Sequence, residues 1–190
     1  MTPLAKDAVL LVVDVQRGFD RYNESLHRNN PELEANLARL LSAWRRSGRP
    51  VMYVQHVSRL KDSPLAPGQP GVEIKDEVRP QPGEPIVRKS VNSAFIGTAL
   101  EADLRAAGHN VLVVTGMQTN FCVSTTARMA GNLGFDTYVV SDATATFDNT
   151  GPDGRVWPAQ LLHDVALADL HGEFATVLDT TGVLSRLEGA

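Results

Sequence analysis

The chain has 190 residues, a formal net charge of −4, 43% hydrophobic residues and 21% charged ones. That length buries roughly 70% of the surface an unfolded chain exposes, and the balanced composition excludes disordered, collagen-like and coiled-coil classes. The acidic charge argues against a nucleic-acid partner, no apolar run approaches the ~20 residues of a membrane span, and a lone cysteine, Cys122, excludes an intrachain disulfide or a Cys-rich metal site.

The N-terminal residues lack a basic region and a small-residue cleavage site, so they are not read as a signal peptide. With the lone thiol, this predicts a cytoplasmic protein. The first strand is Ala8-Val9-Leu10-Leu11-Val12-Val13, apolar at every position as a strand covered on both faces should be, and it ends at Asp14. A helix follows, with Asn30 as its expected cap and Pro31 in its first turn. Leu33, Leu37, Leu40, Leu41 and Trp44 form one apolar stripe, and Gly48 ends it. Residues 51–55 form a second strand. Residues 58–85 hold six of the eleven prolines and read as a long loop, either functional or an interface piece.

The alternation then resumes. Ile86-Val87-Arg88 is a third strand, ending at Lys89. Thr98-Ala99-Leu100-Glu101 has the pattern of a capping box opening a helix to Gly108. Residues 111–115 form a fourth strand, and a helix from Cys122 through Leu133 is closed by Gly134. Residues 137–141 form a fifth strand, 142–157 a loop, and Pro158 opens a helix to about Leu170. Residues 174–178 form a sixth strand. Strands alternating with helices predict an α/β fold, a three-layer α/β/α sandwich on a six-stranded, mostly parallel, Rossmann-like sheet, and no linker divides residues 1–190 into more than one domain.

In such sheets ligands bind beyond the carboxyl ends of the strands. Asp14, Lys89 and Cys122 all belong to that edge. With strand order 3-2-1-4-5-6, Asp14 and Cys122 face each other at its centre. Taken singly, each has a plainer reading: a lone Cys as buried core, a strand-end Asp as a cap, a loop Lys as solvated. Taken together they make a nucleophilic site. A helix N-terminus and a nearby Lys favour a thiolate. An Asp takes the thiol proton and returns it to a leaving group, and backbone amides hold the oxyanion.

The chain resembles the isochorismatase-like cysteine hydrolases, the superfamily of nicotinamidases, N-carbamoylsarcosine amidohydrolases and ureidoacrylate amidohydrolases. Four motifs carry the resemblance in order. They are Asp14-Val15-Gln16-Arg17-Gly18-Phe19, Lys89-Ser90-Val91-Asn92-Ser93-Ala94-Phe95, Gly116-Met117-Gln118-Thr119-Asn120-Phe121-Cys122-Val123 followed by Thr125-Thr126, and Val140-Ser141-Asp142-Ala143. The resemblance implies a catalytic Asp14, Lys89 and Cys122, a cis Met117–Gln118 peptide, an oxyanion hole from the Gln118 and Cys122 amides, and a homo-oligomer, dimer or tetramer.

Nicotinamidases carry an Asp-x-His metal site near the end of strand two. This chain has Gln55-His56-Val57-Ser58 there, and its five histidines show no paired spacing, so no metal and no cofactor are expected. Isochorismatases that cleave a vinyl ether lack the cysteine, so Cys122 points to metal-independent C–N hydrolysis of a small molecule through a thioester. A vinyl-ether hydrolase and a non-catalytic binding or assembly member are the rivals, and a nucleotide-binding module is weaker because no Gly-rich phosphate loop is present. Phe19, His56, Asn92, Phe95, Phe147 and Trp157 are candidate substrate-binding residues, each aromatic serving equally well as core or interface. His163, Asp164, His171 and Glu173 read as packing or capping.

Overall fold

A computed structural model of the protein describes residues 3–188. Strand β1 (Val9–Val13) is buried along its whole length, and its alternating side chains feed two cores. Leu10 and Val12 pack with Leu33, Leu37, Leu40, Leu41 and Trp44 of helix α1 (Leu33–Arg46). Val9, Leu11 and Val13 pack with side chains of α2 (Leu100–Ala106), α3 (Ser124–Asn132) and α4 (Ala159–Leu170). Helix α5 (Thr180–Glu188) sends Val183 into the first core. Strands β2 (Val51–His56), β3 (Ile86–Lys89), β4 (Val111–Met117), β5 (Asp136–Ala145) and β6 (Thr176–Leu178) complete a parallel sheet of order β3-β2-β1-β4-β5-β6. This is the expected α/β sandwich. Among the described residues no helix is long and apolar enough to cross a membrane.

The predicted α1 stripe is buried throughout, and the Trp44 indole N–H donates to the Ala8 carbonyl at 2.9 Å, tying the helix to the start of β1. Local signals fail where tertiary contacts claim the same side chain. Asn30 does not cap α1. It sits at φ 44° and its amide donates to the Ser141 and Thr144 carbonyls of β5, at 2.9 and 2.7 Å. The Thr98 hydroxyl is spent on the Ala94 carbonyl at 2.5 Å and only weakly reaches the Leu100 amide at 3.4 Å. Glu101 faces Arg105 instead of closing a box.

The fifth strand also runs past its expected end. Pairing with β4 moves from Val114↔Val139 to Gly116↔Thr144, so residues 140–143 bulge outward before pairing resumes. From sequence Ser141 ends the strand and Asp142 opens a loop. The pair is held in the bulge because Asp142 accepts the Thr180 amide and hydroxyl, each at 2.7 Å, and Ser141 donates to the Leu178 carbonyl. Residues 149–150 and 156–157 then form a short antiparallel ribbon within the expected loop. The sixth strand is shorter than expected, beginning at Thr176.

The Pro-rich segment 58–85 contains two single 3-10 turns, Pro70–Val72 and Asp76–Val78. It is clamped to the rest of the chain by ions. Lys75 bonds Asp20 at 2.5 Å and Glu34 at 2.8 Å, and Glu34 also receives Arg28 at 2.7 Å. These hydrogen bonds hold the Glu34 carboxyl at about 2 against the opposing effect of burial. A carboxyl pKa lowered on folding adds stability above its unfolded value, lost as pH falls through the folded one. A drop of this size corresponds to at most about 3 kcal/mol, and solvent screening of the half-buried group reduces it to about 1–2 kcal/mol. Glu34→Gln should therefore lower unfolding free energy by about that amount at neutral pH. The deficit should shrink from pH 4.5 down towards 2, as read by urea denaturation across pH.

Candidate active site

The centre of the carboxyl edge is built by the pairing of β1 with β4. Val13 lies in register with Gly116, and a Cβ on Gly116 would stand 1.9 Å from the Val13 carbonyl oxygen. Gly116 takes φ 112°, which favours glycine, and the following Met117–Gln118 peptide is cis, as the resemblance implies. Asp14 turns out of β1 at φ 52°, a region that Asp tolerates better than most residues. Its amide still bonds the Val54 carbonyl at 2.9 Å. The edge is braced by Gln16, whose side chain exchanges two bonds of 2.9 Å with the His56 backbone and donates to the Val72 carbonyl at 2.8 Å. Sequence reading quoted Gln16 within a motif but gave it no role. Its amide head pairs with strand and loop backbone that no local pattern reveals.

Three strands and one turn deliver four functional side chains to a common point. Lys89, with a side chain of 0% exposure, directs its ammonium at Asp14 Oδ2 (2.6 Å), His56 Nδ1 (3.1 Å) and Cys122 Sγ (3.3 Å). An ammonium has three donors and no acceptor, so all three are used. His56 Nδ1 must accept, which puts the imidazole proton on Nε2. The Val91 carbonyl also faces this ring. Burial first, then the Lys89 charge, holds His56 at about 4, so it is neutral near pH 7. One donor atom each from Asp14, His56 and Cys122 lies within 4.8 Å of the others, a spacing that would suit a metal ion. The Lys89 ammonium bonds to all three residues and opposes a second cation there.

The thiol itself differs from expectation. Cys122 lies inside a wide five-residue turn, Thr119–Val123, and the regular helix begins only at Ser124. Burial, and next the Asp14 carboxylate, push the thiol up to about 12 instead of down. Burial likewise raises Asp14 against the opposing pull of Lys89. Asp14 Oδ1 is buried with no hydrogen-bond partner, and the Asp14 carboxylate faces the Cys122 thiol. Behind the turn, the Thr119 hydroxyl is bonded to His163 Nδ1 at 2.9 Å, a packing role for His163. The Gln118 carbonyl accepts the Phe121 and Val123 amides, and neither bond uses the Cys122 N–H.

Above these groups lies a cavity of about 210 Å³. Asp14, His56, Asn92, Gln118 and Cys122 line it, with Phe19, Tyr22, Leu60, Leu65 and Phe121 as apolar walls and Ser58 and Ser63 between. Of the candidate binding residues, Phe19, His56 and Asn92 are in this lining. Three are elsewhere. Phe95 stacks on Phe135 at 5.8 Å in the opposite core. Phe147 stands behind the pocket, stacked on Phe19 at 6.2 Å. Trp157 lies in the surface ribbon under the Arg155 guanidinium. Tyr22, Leu60, Leu65 and Phe121 were missed. Tyr22 follows Phe19 by one helical turn and Phe121 precedes the cysteine, which are usable signals. Leu60 and Leu65 come from the Pro-rich segment, where no period marks an inward face.

Known proteins resemble this chain over most of its length. The isochorismatase domain family model matches residues 8–182. An uncharacterized isochorismatase family protein of Bacillus subtilis (strain 168), YrdC, is 44% identical over 93% of this chain and 94% of its own length. The ureidoacrylate amidohydrolase RutB of Agrobacterium fabrum is 31% identical over 96% of this chain and 72% of its own. The crystal structure of a putative hydrolase of the isochorismatase family from Chromobacterium violaceum superposes with a TM-score of 0.94 at 42% identity, covering all of both chains.

The thiol's environment yields a two-sided prediction. Asp14→Asn removes a negative neighbour that holds the thiol up and leaves Lys89 to act on the sulfur alone, so the thiol pKa should fall. Alkylation of Cys122 by iodoacetamide near pH 8 should then be about tenfold or more faster than in wild type. Asn also tolerates the left-handed backbone at this position, so the fold should persist. An unchanged or slower alkylation rate would refute this account of the thiol.

Proposed function

The chain belongs to the isochorismatase family and is a hydrolase, and on that premise we propose that it cleaves a C–N bond (amide, carbamoyl or ureido) of a small molecule by a metal-independent cysteine mechanism. The observation that carries the reading is the buried Asp14 carboxylate set against the Cys122 thiol, with Lys89 bonded to both residues. In this reading Asp14 accepts the thiol proton as Sγ attacks the substrate carbonyl carbon. The negative charge passes to the carbonyl oxygen, which the Gln118 and Cys122 amides receive. Asp14 returns the proton to the leaving nitrogen, the C–N bond breaks, and a thioester remains. Asp14 then takes a proton from water, the hydroxide displaces the sulfur, Asp14 returns that proton to the sulfur, and the acid is released.

The raised thiol pKa suits this sequence, because a standing thiolate is not required when the base lies at hand. Lys89 keeps Asp14 anionic against its burial and follows the negative charge as it moves to sulfur. His56 is a positioning residue. It fills the third ammonium position and so keeps Lys89 aimed between the other two. A cavity of about 210 Å³ lies below the ~300–1,000 Å³ of drug-sized sites, and Phe19, Tyr22 and Phe121 suit a small planar substrate.

A screen of small amides, carbamoyl and ureido compounds tests the reading, with Cys122→Ala as control. Cys122→Ala should abolish turnover with the fold intact, and mass spectrometry of a rapidly quenched wild-type reaction should find an acyl adduct on Cys122. Full turnover by Cys122→Ala on a true substrate would overturn the mechanism and favour a vinyl-ether-type hydrolase. Asp14→Asn should lose about 10³-fold or more in kcat. Because burial raises Asp14, kcat/KM should rise with pH along an acid limb centred above the ordinary carboxyl value of 3.8. His56→Gln, which can still accept from Lys89, should retain most activity, while His56→Leu should lose about 10-fold or more in kcat with little change in KM.

A further inference from the structure

Next to the catalytic pocket is a second cavity of about 590 Å³, lined by Ser58, Arg59, Lys61, Arg88, the Lys89 position and Ser90 among others. The two cavities meet at Ser58, which lines both. No Asp or Glu contributes to the second lining, although the chain as a whole carries a charge of −4. Two guanidinium groups contribute to it, and Arg88 also lines, together with Gln55, a neighbouring cavity that includes Glu73 and Asp76. Arg59 donates through Nε to the Ser90 hydroxyl at 3.0 Å, and Arg88 donates through Nε to the Gln55 side-chain oxygen at 3.1 Å. Both acceptors are neutral. Among the described residues neither arginine makes a further side-chain hydrogen bond or an ion pair, so both terminal NH₂ forks are unspent. Lys61 likewise has no ion-pair partner there. Guanidinium forks held by one edge and free at the other are the arrangement that receives a carboxylate or phosphate bidentately.

We propose that this cavity is an anion subsite that takes the carboxylate or phosphate tail of the substrate whose scissile carbonyl meets Cys122. The proposal rests on the cysteine-hydrolase reading and names its substrate class, a small amide or ureido compound with an anionic end. The Ser58–Lys61 segment divides the work. Ser58 and Leu60 line the reacting pocket, and Arg59 and Lys61 line the anion cavity.

The test uses matched pairs that differ in the tail alone, butyramide against succinamate and valeramide against glutaramate. In at least one pair the carboxylate member should have a kcat/KM about tenfold or more above its neutral partner. In the Arg59→Gln/Arg88→Gln double variant that advantage should vanish, with hydrolysis of the neutral member unchanged. Inorganic phosphate should inhibit succinamate hydrolysis competitively. Equal rates within both pairs, or a preference that survives the double substitution, overturn the proposal. Phosphate that alters kcat without competing does so too, because the anion would then be a separate effector. If neither member of any pair is hydrolysed, the cysteine-hydrolase reading fails on these substrates and calorimetry decides the cavity alone. Saturable phosphate binding that the double variant loses keeps the anion site, and no binding removes it.

Discussion

The site depends on one buried ammonium. Lys89 has no exposed side-chain surface, and neither does its partner Asp14. Taking such charges out of water is expensive and is offset only when geometry is good and every donor is used. Here each of the three N–H groups has an acceptor on a different part of the chain: the end of β1, the end of β2 and the turn after β4. The ammonium therefore both stabilises a buried carboxylate and locks three separate segments to one point. Removing any acceptor leaves an unpaired donor in a low-dielectric place.

The sheet supplies the precision that this arrangement needs. His56 and Lys89 are register partners across β2 and β3, and Val13 and Gly116 are partners across β1 and β4. A slip of one residue would turn every side chain to the other face. Register is fixed by the two fully occupied cores on either side of β1, so packing energy far from the site holds its geometry. Gly116 allows β1 and β4 to approach where a side chain would collide with backbone. The bulge in β5 opens just there, and its exposed polar groups are satisfied by α5 and by Asn30.

Much of this was legible in local pattern. Strands buried on both faces are continuous apolar runs, and α1 has a single stripe, so their existence followed from periodicity, while the sheet order was only one of those the connection rules allow. Asp14, Lys89 and Cys122 stood out only as a set, because each alone has a plainer reading and it is their common place at the carboxyl ends of parallel strands that makes a site. The binding pocket was less legible. Phe95 and Phe147 are as aromatic as Phe19, and only the packing of Phe135 and of the Phe19–Tyr22–Phe147 cluster decides which ring meets the cavity. Leu60 and Leu65 sit in a segment without period, whose course is set by the Lys75–Glu34 ion pair and by backbone pairing of Gln16 with Ile74.

The sequence by itself determined the layered α/β architecture and the identity of the three groups that meet at the sheet edge, because each rests on patterns local to a strand or helix and on general rules of connection. The tertiary structure alone decided the state of those groups. The thiol is held up by burial and by Asp14, although a helix-terminus argument from sequence lowers it. The imidazole of His56 is held neutral by burial and then by Lys89, whose ammonium donates to its Nδ1. The physical reason is that protonation depends on desolvation and on charges brought close from distant parts of the chain, and neither quantity exists until the strands have paired.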